Sequence, residues 1–317
     1  MSGITLIVDR RETSIRLEGK ALRIDRPDVG PERIPLAMLE RMVVTGSPLV
    51  ACDVWRAMAE LNIPAILLPG RGAGPAAMLG AGLGSGVELR IAQYRAAADP
   101  ETSLMICRWL LGAKLTGQQS LVKQLVGSMP DHVWEETFHN SWRGIRMASS
   151  RASLMGVEGA AAAASFKLLA KILPREWGFS GRNRRPPRDP FNALLSLGYV
   201  LAGGEILKVV QGKGLDPGLG FLHASQHGRA ALVLDLLEPH RPVIDNFVLS
   251  LTKGLLTPND FTISSQEGCR LSKEARGIFY RTWFQYLNTG HEEGIAEQIK
   301  KTVTELCQHL SKKNENL

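Results

Sequence analysis

Apolar side chains recur at every second position near the start of the chain: Ile4, Leu6 and Val8, then Ile15 and Leu17, then Leu22 and Ile24. A period of two sends successive side chains to opposite faces of an extended chain, so these stretches predict strands with one buried face. Glu18-Gly19-Lys20 supplies a turn between the second and third. The polar, Pro- and Gly-bearing stretch from Arg26 to Arg33 reads as a loop, followed by short apolar runs at 34–36 and 42–44. Asp53 is placed to cap a short helix through Trp55, Met58 and Leu61, and Pro64 precedes a strand-like Ala65-Ile-Leu-Leu68.

From about Val87 the period changes to that of a helix. Leu104, Cys107, Leu110, Leu111 and Leu115 share one face, as do Phe166, Leu169, Ile172 and Leu173. Asp189-Pro190 opens a further helix, with a capping carboxylate and then proline at the first position, running into Leu194, Leu195, Leu197 and Leu201. Later helices fit 243–256, 272–287 and 295–310, the last with Ile295, Ile299, Val303, Leu306 and Leu310 in one stripe. Between the two regimes, Pro69 to Gly86 is rich in glycine and alanine. It matches neither GxGxxG opening a helix nor GxxxxGK[ST], so it reads as a linker and not a phosphate cradle.

The expected fold is therefore α+β. A small β-rich N-terminal domain (1–75) is joined by a hinge (76–90) to a larger all-α C-terminal catalytic domain (91–311), with a flexible tail (312–317). A length of 317 residues, 44% of them hydrophobic and 22% charged, suits one or two globular domains with a real core. No stretch offers the roughly 20 uninterrupted apolar residues of a membrane span, and Met1-Ser2-Gly3-Ile4 lacks the profile of a secretory leader. Cys52, Cys107, Cys269 and Cys307 are widely scattered, as expected of reduced thiols in a cytoplasmic protein and not of a zinc site or disulfide framework.

A formal net charge of +7 is compatible with an anionic partner, and its placement says more than its total. Arg182, Arg184, Arg185 and Arg188 fall within seven residues. They make either a solvated loop or an arm that neutralises phosphates.

Three segments carry candidate chemistry. Glu158 sits between Gly156 and Gly159 in an alanine-rich helix. Glycine there costs about 1 kcal/mol of helix stability, which suggests that something approaches the backbone closely. His223 ends a glycine-rich turn, where a neutral imidazole serves as metal ligand or proton shuttle, although His227 and His240 compete for that role. Asp235 and Glu238 share one helical face. They fit a capping box and a hard-cation site equally well, and spacing leaves both open.

Taken together, GVEGAAAA around Glu158, RPPRDPFNALLSLGY from Arg185, GLDPGLGFLH from Gly214 and GRAALVLDLLEPHRPVID from Gly228 resemble the metal-dependent integrase of the CRISPR adaptation module, the larger member of the spacer-acquisition pair. IPLAMLERMVVTG from Ile34, NIPAILLPGRG from Asn62 and AKLTGQQSLV around Lys114 extend the resemblance from about Ile34 to Asp245. It implies a DNA endonuclease and integrase that inserts foreign DNA into a repeat array by phosphodiester transfer. It further implies Mg2+ or Mn2+ held by Glu158, His223 and Glu238, with Asp235 beside that site. Its implied partners are double-stranded and branched DNA, a second copy of the chain paired through the β domain, and the small second protein of the adaptation complex. Departures from the family pattern are Ala230-Ala231, where serine is often found, and Gly117, where asparagine is common. The competing readings are a branched-DNA repair nuclease using the same site, a non-catalytic nucleic-acid scaffold in which Asp235 and Glu238 only cap a helix, and a hydrolase of small anions.

Overall fold

The computed structural model describes residues 4–27, 29–69, 76–79, 86–126, 132–183, 186–264, 266, 268–289 and 294–311. Its first part contains β1 (Ile4–Val8), β2 (Ser14–Glu18), β3 (Ala21–Arg26), β4 (Val29–Pro35), β5 (Leu39–Thr45), β6 (Leu49–Val50), α1 (Cys52–Glu60), β7 (Ala65–Leu68) and β8 (Ala77–Leu79). They form two four-stranded sheets, ordered β1-β5-β7-β8 and β4-β3-β2-β6. The alternating residues behave as their period requires: Leu6, Val8, Ile15, Leu22 and Ile24 are buried in one apolar cluster with Met42, Val44, Val54 and Met58. The β2–β3 hairpin pairs Glu18 with Ala21 across Gly19, whose φ of 62° is cheap for a residue without a Cβ.

Three expectations for this part are corrected. Residues 29–35 are strand β4, not a loop. The strand lies at a sheet edge with nearly every side chain exposed, so its polar sequence carries no alternation, while pairing with β3 fixes the backbone. Asp53 lies inside the first turn of α1, and Ala51 is the cap residue. Residues 77–79, assigned to the hinge, form the antiparallel edge strand β8 on β7, and 87–90 already belong to the first helix of the second part. The glycine-rich stretches 70–75 and 80–85, and the tail 312–317, lie outside the described residues.

The second part comprises α2 (Val87–Ala98), α3 (Pro100–Val126), α4 (His132–Met147), α5 (Arg151–Ile172), α6 (Pro190–Gly212), α7 (Ala231–Leu237), a 3₁₀ turn Glu238–His240, α8 (Arg241–Leu251), β9 (Phe261–Ser264), β10 (Gly268–Leu271), α9 (Lys273–Thr289) and α10 (Ile295–Ser311). All five stripe residues of α10 are buried. The all-α expectation is corrected by the hairpin β9–β10, whose four-residue strands are too short to show a period. The helix expected at 243–256 runs instead over Arg241–Leu251, because Pro242 is accepted in its first turn.

Helix α6 is the axis of this part. Asp189 caps it by accepting the Asn192 backbone N–H at 2.8 Å, and Pro190 follows. Among the described residues it is the one helix long and apolar enough to cross a membrane. Here it is buried in the protein, packed by α7, α8, α10 and β10. The β-rich part rests on its middle. A Cβ at Gly204 would run into Ile66, and one at Gly203 would lie 3.1 Å from the Met78 methyl. Beside them Arg41, 1% exposed, forms a fork on Glu205 at 2.5 and 3.1 Å and lies over the Phe284 ring. A buried charge held this way has its desolvation offset only by such paired hydrogen bonds, which fix how the sheet sits on α6.

Candidate metal centre

Four elements deliver the candidate side chains. Glu158 projects from α5, Glu238 begins the 3₁₀ turn after α7, His223 lies midway along the loop between α6 and α7, and Asp235 lies within α7. The long apolar face of α3 packs against that 3₁₀ turn and carries one basic residue, Lys114, only 4% exposed. Its ammonium donates to Glu238 Oε2 at 2.6 Å and also to Glu158 Oε1. Two carboxylates eighty positions apart are thus joined on one cation.

Glu238 has a second cation. Arg241 Nε donates to its Oε1 at 2.8 Å, while the guanidinium lies 4.4 Å over the Tyr199 ring. Burial, the largest single influence, pushes the Glu238 carboxyl up, but Arg241 and Lys114 together outweigh it and hold it at about 2. Glu238 is therefore an anion at any working pH.

Asp235 is not a helix cap. Helix α7 starts at Ala231, so Asp235 stands in its interior, wholly buried. Its carboxylate accepts the backbone N–H groups of Phe221, Leu222 and His223 at 2.5, 2.9 and 2.8 Å, and His223 Nδ1 lies 2.7 Å from its Oδ1. These bonds hold the turn that ends in His223. A carboxylate can only accept, so Nδ1 is the donor of this pair, and Nε2 is the nitrogen that carries the lone pair in a neutral imidazole. Glycine is required at 220, since a Cβ there would sit 2.7 Å from Asp235 Oδ2 and 2.9 Å from the Ala231 carbonyl carbon. Helix α2 braces the same loop. Gln93, fully buried, donates to the carbonyls of Asp216 and Leu219 and accepts the Asp216 N–H, and Tyr94 donates to the Asp216 carboxylate at 2.7 Å.

The structure thus joins Glu158 with Glu238, and His223 with Asp235, the two pairs linked by the single helical turn from Asp235 to Glu238. It does not gather the three proposed ligands into one cage: among the described residues no three Asp, Glu, His or Cys side chains form a ready metal set. The donor chemistry nonetheless fits a divalent cation. Hard carboxylate oxygens and one imidazole nitrogen suit Mg2+ and Mn2+, and the carboxylates already share a positive centre.

The arginine cluster divides. Arg182 is half-buried and folded back onto the protein, donating to the Asn183 carbonyl, to Asn192 Oδ1 at 2.8 Å and to Ser196 Oγ at 3.1 Å, with its guanidinium 5.5 Å from the Tyr199 ring centre. At this residue the cluster is not a solvated loop, because Asn183 beside it is held to Asn192 and Asp189 at the start of α6. Arg188 is exposed. Arg184 and Arg185 lie outside the described residues.

Sequence reading missed Lys114, Arg241, Tyr199 and Gln93. For Lys114 a signal existed: it falls on the apolar stripe of Leu110, Leu111 and Leu115, where an unpaired lysine is not tolerated. The explanation for the glycines beside Glu158 also changes. A Cβ at Gly156 or Gly159 would meet nothing within 4 Å, so no part of the protein approaches there.

The comparisons agree with this architecture. The family model described as CRISPR associated protein Cas1 matches residues 6–285. A CRISPR-associated endonuclease Cas1 of Thermodesulfovibrio yellowstonii is 30% identical over 310 residues, covering 93% of this chain and 96% of its own. A casposase bound to integration product superposes with a TM-score of 0.85 at 22% identity, over 98% of this chain and 91% of its own. A Cas6-RT-Cas1–Cas2 complex gives 0.83 at 21%, over 98% of this chain and 35% of the longer one. A family match spanning nearly the whole chain, joined to a relative of almost equal length, shows that this chain belongs to the CRISPR-associated Cas1 family.

Proposed function

We propose that this chain is the DNA endonuclease and integrase of CRISPR adaptation, acting through a Mg2+ or Mn2+ centre built on Glu158, His223 and Glu238. One observation carries the site: Glu158 and Glu238 converge on a single buried positive centre, in the same region as a histidine whose Nδ1 is engaged by Asp235. A divalent cation there supplies charge stabilisation at the phosphoryl oxygens and favours deprotonation of the attacking hydroxyl or water.

The protein's own groups account for the rest. Asp235 sets the His223 tautomer and orientation. Arg241, immobilised on Tyr199, keeps Glu238 ionised and fixed. The open helical face at Gly156 and Gly159 leaves room for a strand beside Glu158, and Arg188 is placed to contact phosphates without reading bases.

The partners follow the same line. DNA and a Cas2-type small protein are the partners, in keeping with the casposase product complex and the Cas1–Cas2 assembly among the structural neighbours. Pairing of two copies runs through the β-rich part, where Met38, Leu49 and Leu61 are exposed. The functional boundary between dimerising and catalytic domains falls within 76–90. A reducing, cytoplasmic setting suits the free cysteines, of which Cys107 and Cys269 have thiols pushed up to about 12 by burial.

The test is a strand-transfer assay beside a hydrolysis assay, using branched DNA with and without Mn2+. Wild type should give Mn2+-dependent products of both kinds, and Glu158→Gln and His223→Ala should give neither while still binding DNA. Products formed without a divalent cation, or retained by Glu158→Gln, contradict the site. Hydrolysis without strand transfer points to a repair nuclease.

A further inference from the structure

Glu158 and Glu238 are met by two cations of the protein itself, Lys114 and Arg241. Lys114, on the buried face of α3, places its ammonium against Glu158 Oε1 and, at 2.6 Å, against Glu238 Oε2. Its side chain is 5% exposed, as is that of Glu238, while Glu158 is 19% exposed and stands on the solvent side. A lysine at such depth is costly unless paired, and here it has two anionic partners. The two carboxylates, for their part, would repel each other with nothing between them.

The two cations around Glu238 differ in freedom. Arg241 is a planar group stacked on Tyr199 and bonded to Oε1, so Oε1 is committed. Lys114 is a compact charge on a four-carbon stem, bonded to Oε2. Of the two it is the one that can withdraw.

We infer that the Lys114 ammonium is a built-in counter-ion that holds Glu158 and Glu238 together in the metal-free protein and competes with the divalent cation for those carboxylates. This rests on the reading of Glu158 and Glu238 as ligands. Lys114 is then a positioning residue: it pre-forms the gap and keeps the anions from splaying apart. It also sets a threshold on metal affinity, because metal entry must break its bonds. A purely structural ion pair would instead leave metal affinity unchanged or lower it through disorder.

Mn2+ binding to the full chain, followed by titration calorimetry and by the Mn2+-induced rise in Tm, tests this with no need for activity. Lys114→Met and Lys114→Gln both remove the charge, and Lys114→Arg keeps it. The two neutral variants should bind Mn2+ about tenfold more tightly than wild type, within the usual range for coupling between neighbouring sites, and show the larger Tm rise. Lys114→Arg should stay near wild type. Neutral variants that fold only in Mn2+ give the same result in extreme form. Equal or weaker Mn2+ binding by a folded neutral variant overturns the inference, as does failure of both to fold with and without Mn2+, since the ammonium would then be an indispensable strut. Wild-type Mn2+ binding that Glu158→Gln does not weaken sinks the ligand reading itself, and the inference with it.

Discussion

His223 Nδ1 lies 2.7 Å from Asp235 Oδ1, and the same carboxylate accepts three consecutive backbone N–H groups, of Phe221, Leu222 and His223. Asp235 is therefore a clamp on the turn that presents the imidazole. Asp235→Asn should be severe, because the amide NH2 must face a buried donor whichever way it is placed. Leaving such donors unsatisfied costs about 1–3 kcal/mol. Urea denaturation should show that loss, and strand transfer should fall with it. Full stability and turnover would mean that the turn does not depend on the carboxylate.

Glu238 and Glu158 share Lys114 but lie at different depths, 5% and 19% exposed. In metal-free protein Glu238→Gln leaves Arg241 and Lys114 under-compensated in the interior and should cost about 3 kcal/mol, the scale for breaking a buried ion pair. Glu158→Gln, on the solvent side, should cost about 1 kcal/mol or less. Both should abolish DNA processing. Denaturant midpoints measured with chelator present separate the two, and equal costs would contradict the asymmetry in burial.

How much of this was legible beforehand varies by residue. The α10 stripe and the Asp189-Pro190 start were readable because burial there follows a helical period and a local capping rule. Strand β4 was not, since an exposed edge strand has no buried face to pattern. At the site, resemblance named Glu158, His223, Asp235 and Glu238, but spacing left Asp235 as cap or ligand neighbour. Only the tertiary fold decides that, by bringing the 221–223 turn to a carboxylate twelve or more positions away. Lys114 and Arg241 escaped for the same reason: their partners lie on other elements or are themselves site residues.

The glycines flanking Glu158 face open space, with nothing within 4 Å of where a Cβ would stand. Gly156→Ala and Gly159→Ala should each raise thermal stability, by about 0.5–1 kcal/mol from helix propensity, while slowing strand transfer where the added methyl meets the DNA. Unchanged turnover in both would show that the strand does not run along this face.

Asp245 accepts the Tyr199 hydroxyl and is buried, and burial raises its carboxyl to about 6 against the opposing pull of Tyr199 and Arg241. A raised carboxyl pKa contributes stability that is present below the unfolded value and is lost as pH rises through about 6. Asp245→Asn keeps an acceptor for Tyr199 and carries no charge. Its stability relative to wild type should therefore improve between pH 5 and pH 8, by about 1 kcal/mol or more. Denaturation at the two pH values checks the sign, and a relative loss at pH 8 would contradict it.

The most direct measurement on the metal centre is anomalous diffraction from a crystal soaked in Mn2+. The expected result is a peak within about 2.0–2.6 Å of carboxylate oxygens of Glu158 and Glu238 and of His223 Nε2, with the Lys114 ammonium withdrawn from between the carboxylates. A peak elsewhere, or none at a concentration that supports strand transfer, would contradict the assignment of these three residues as ligands.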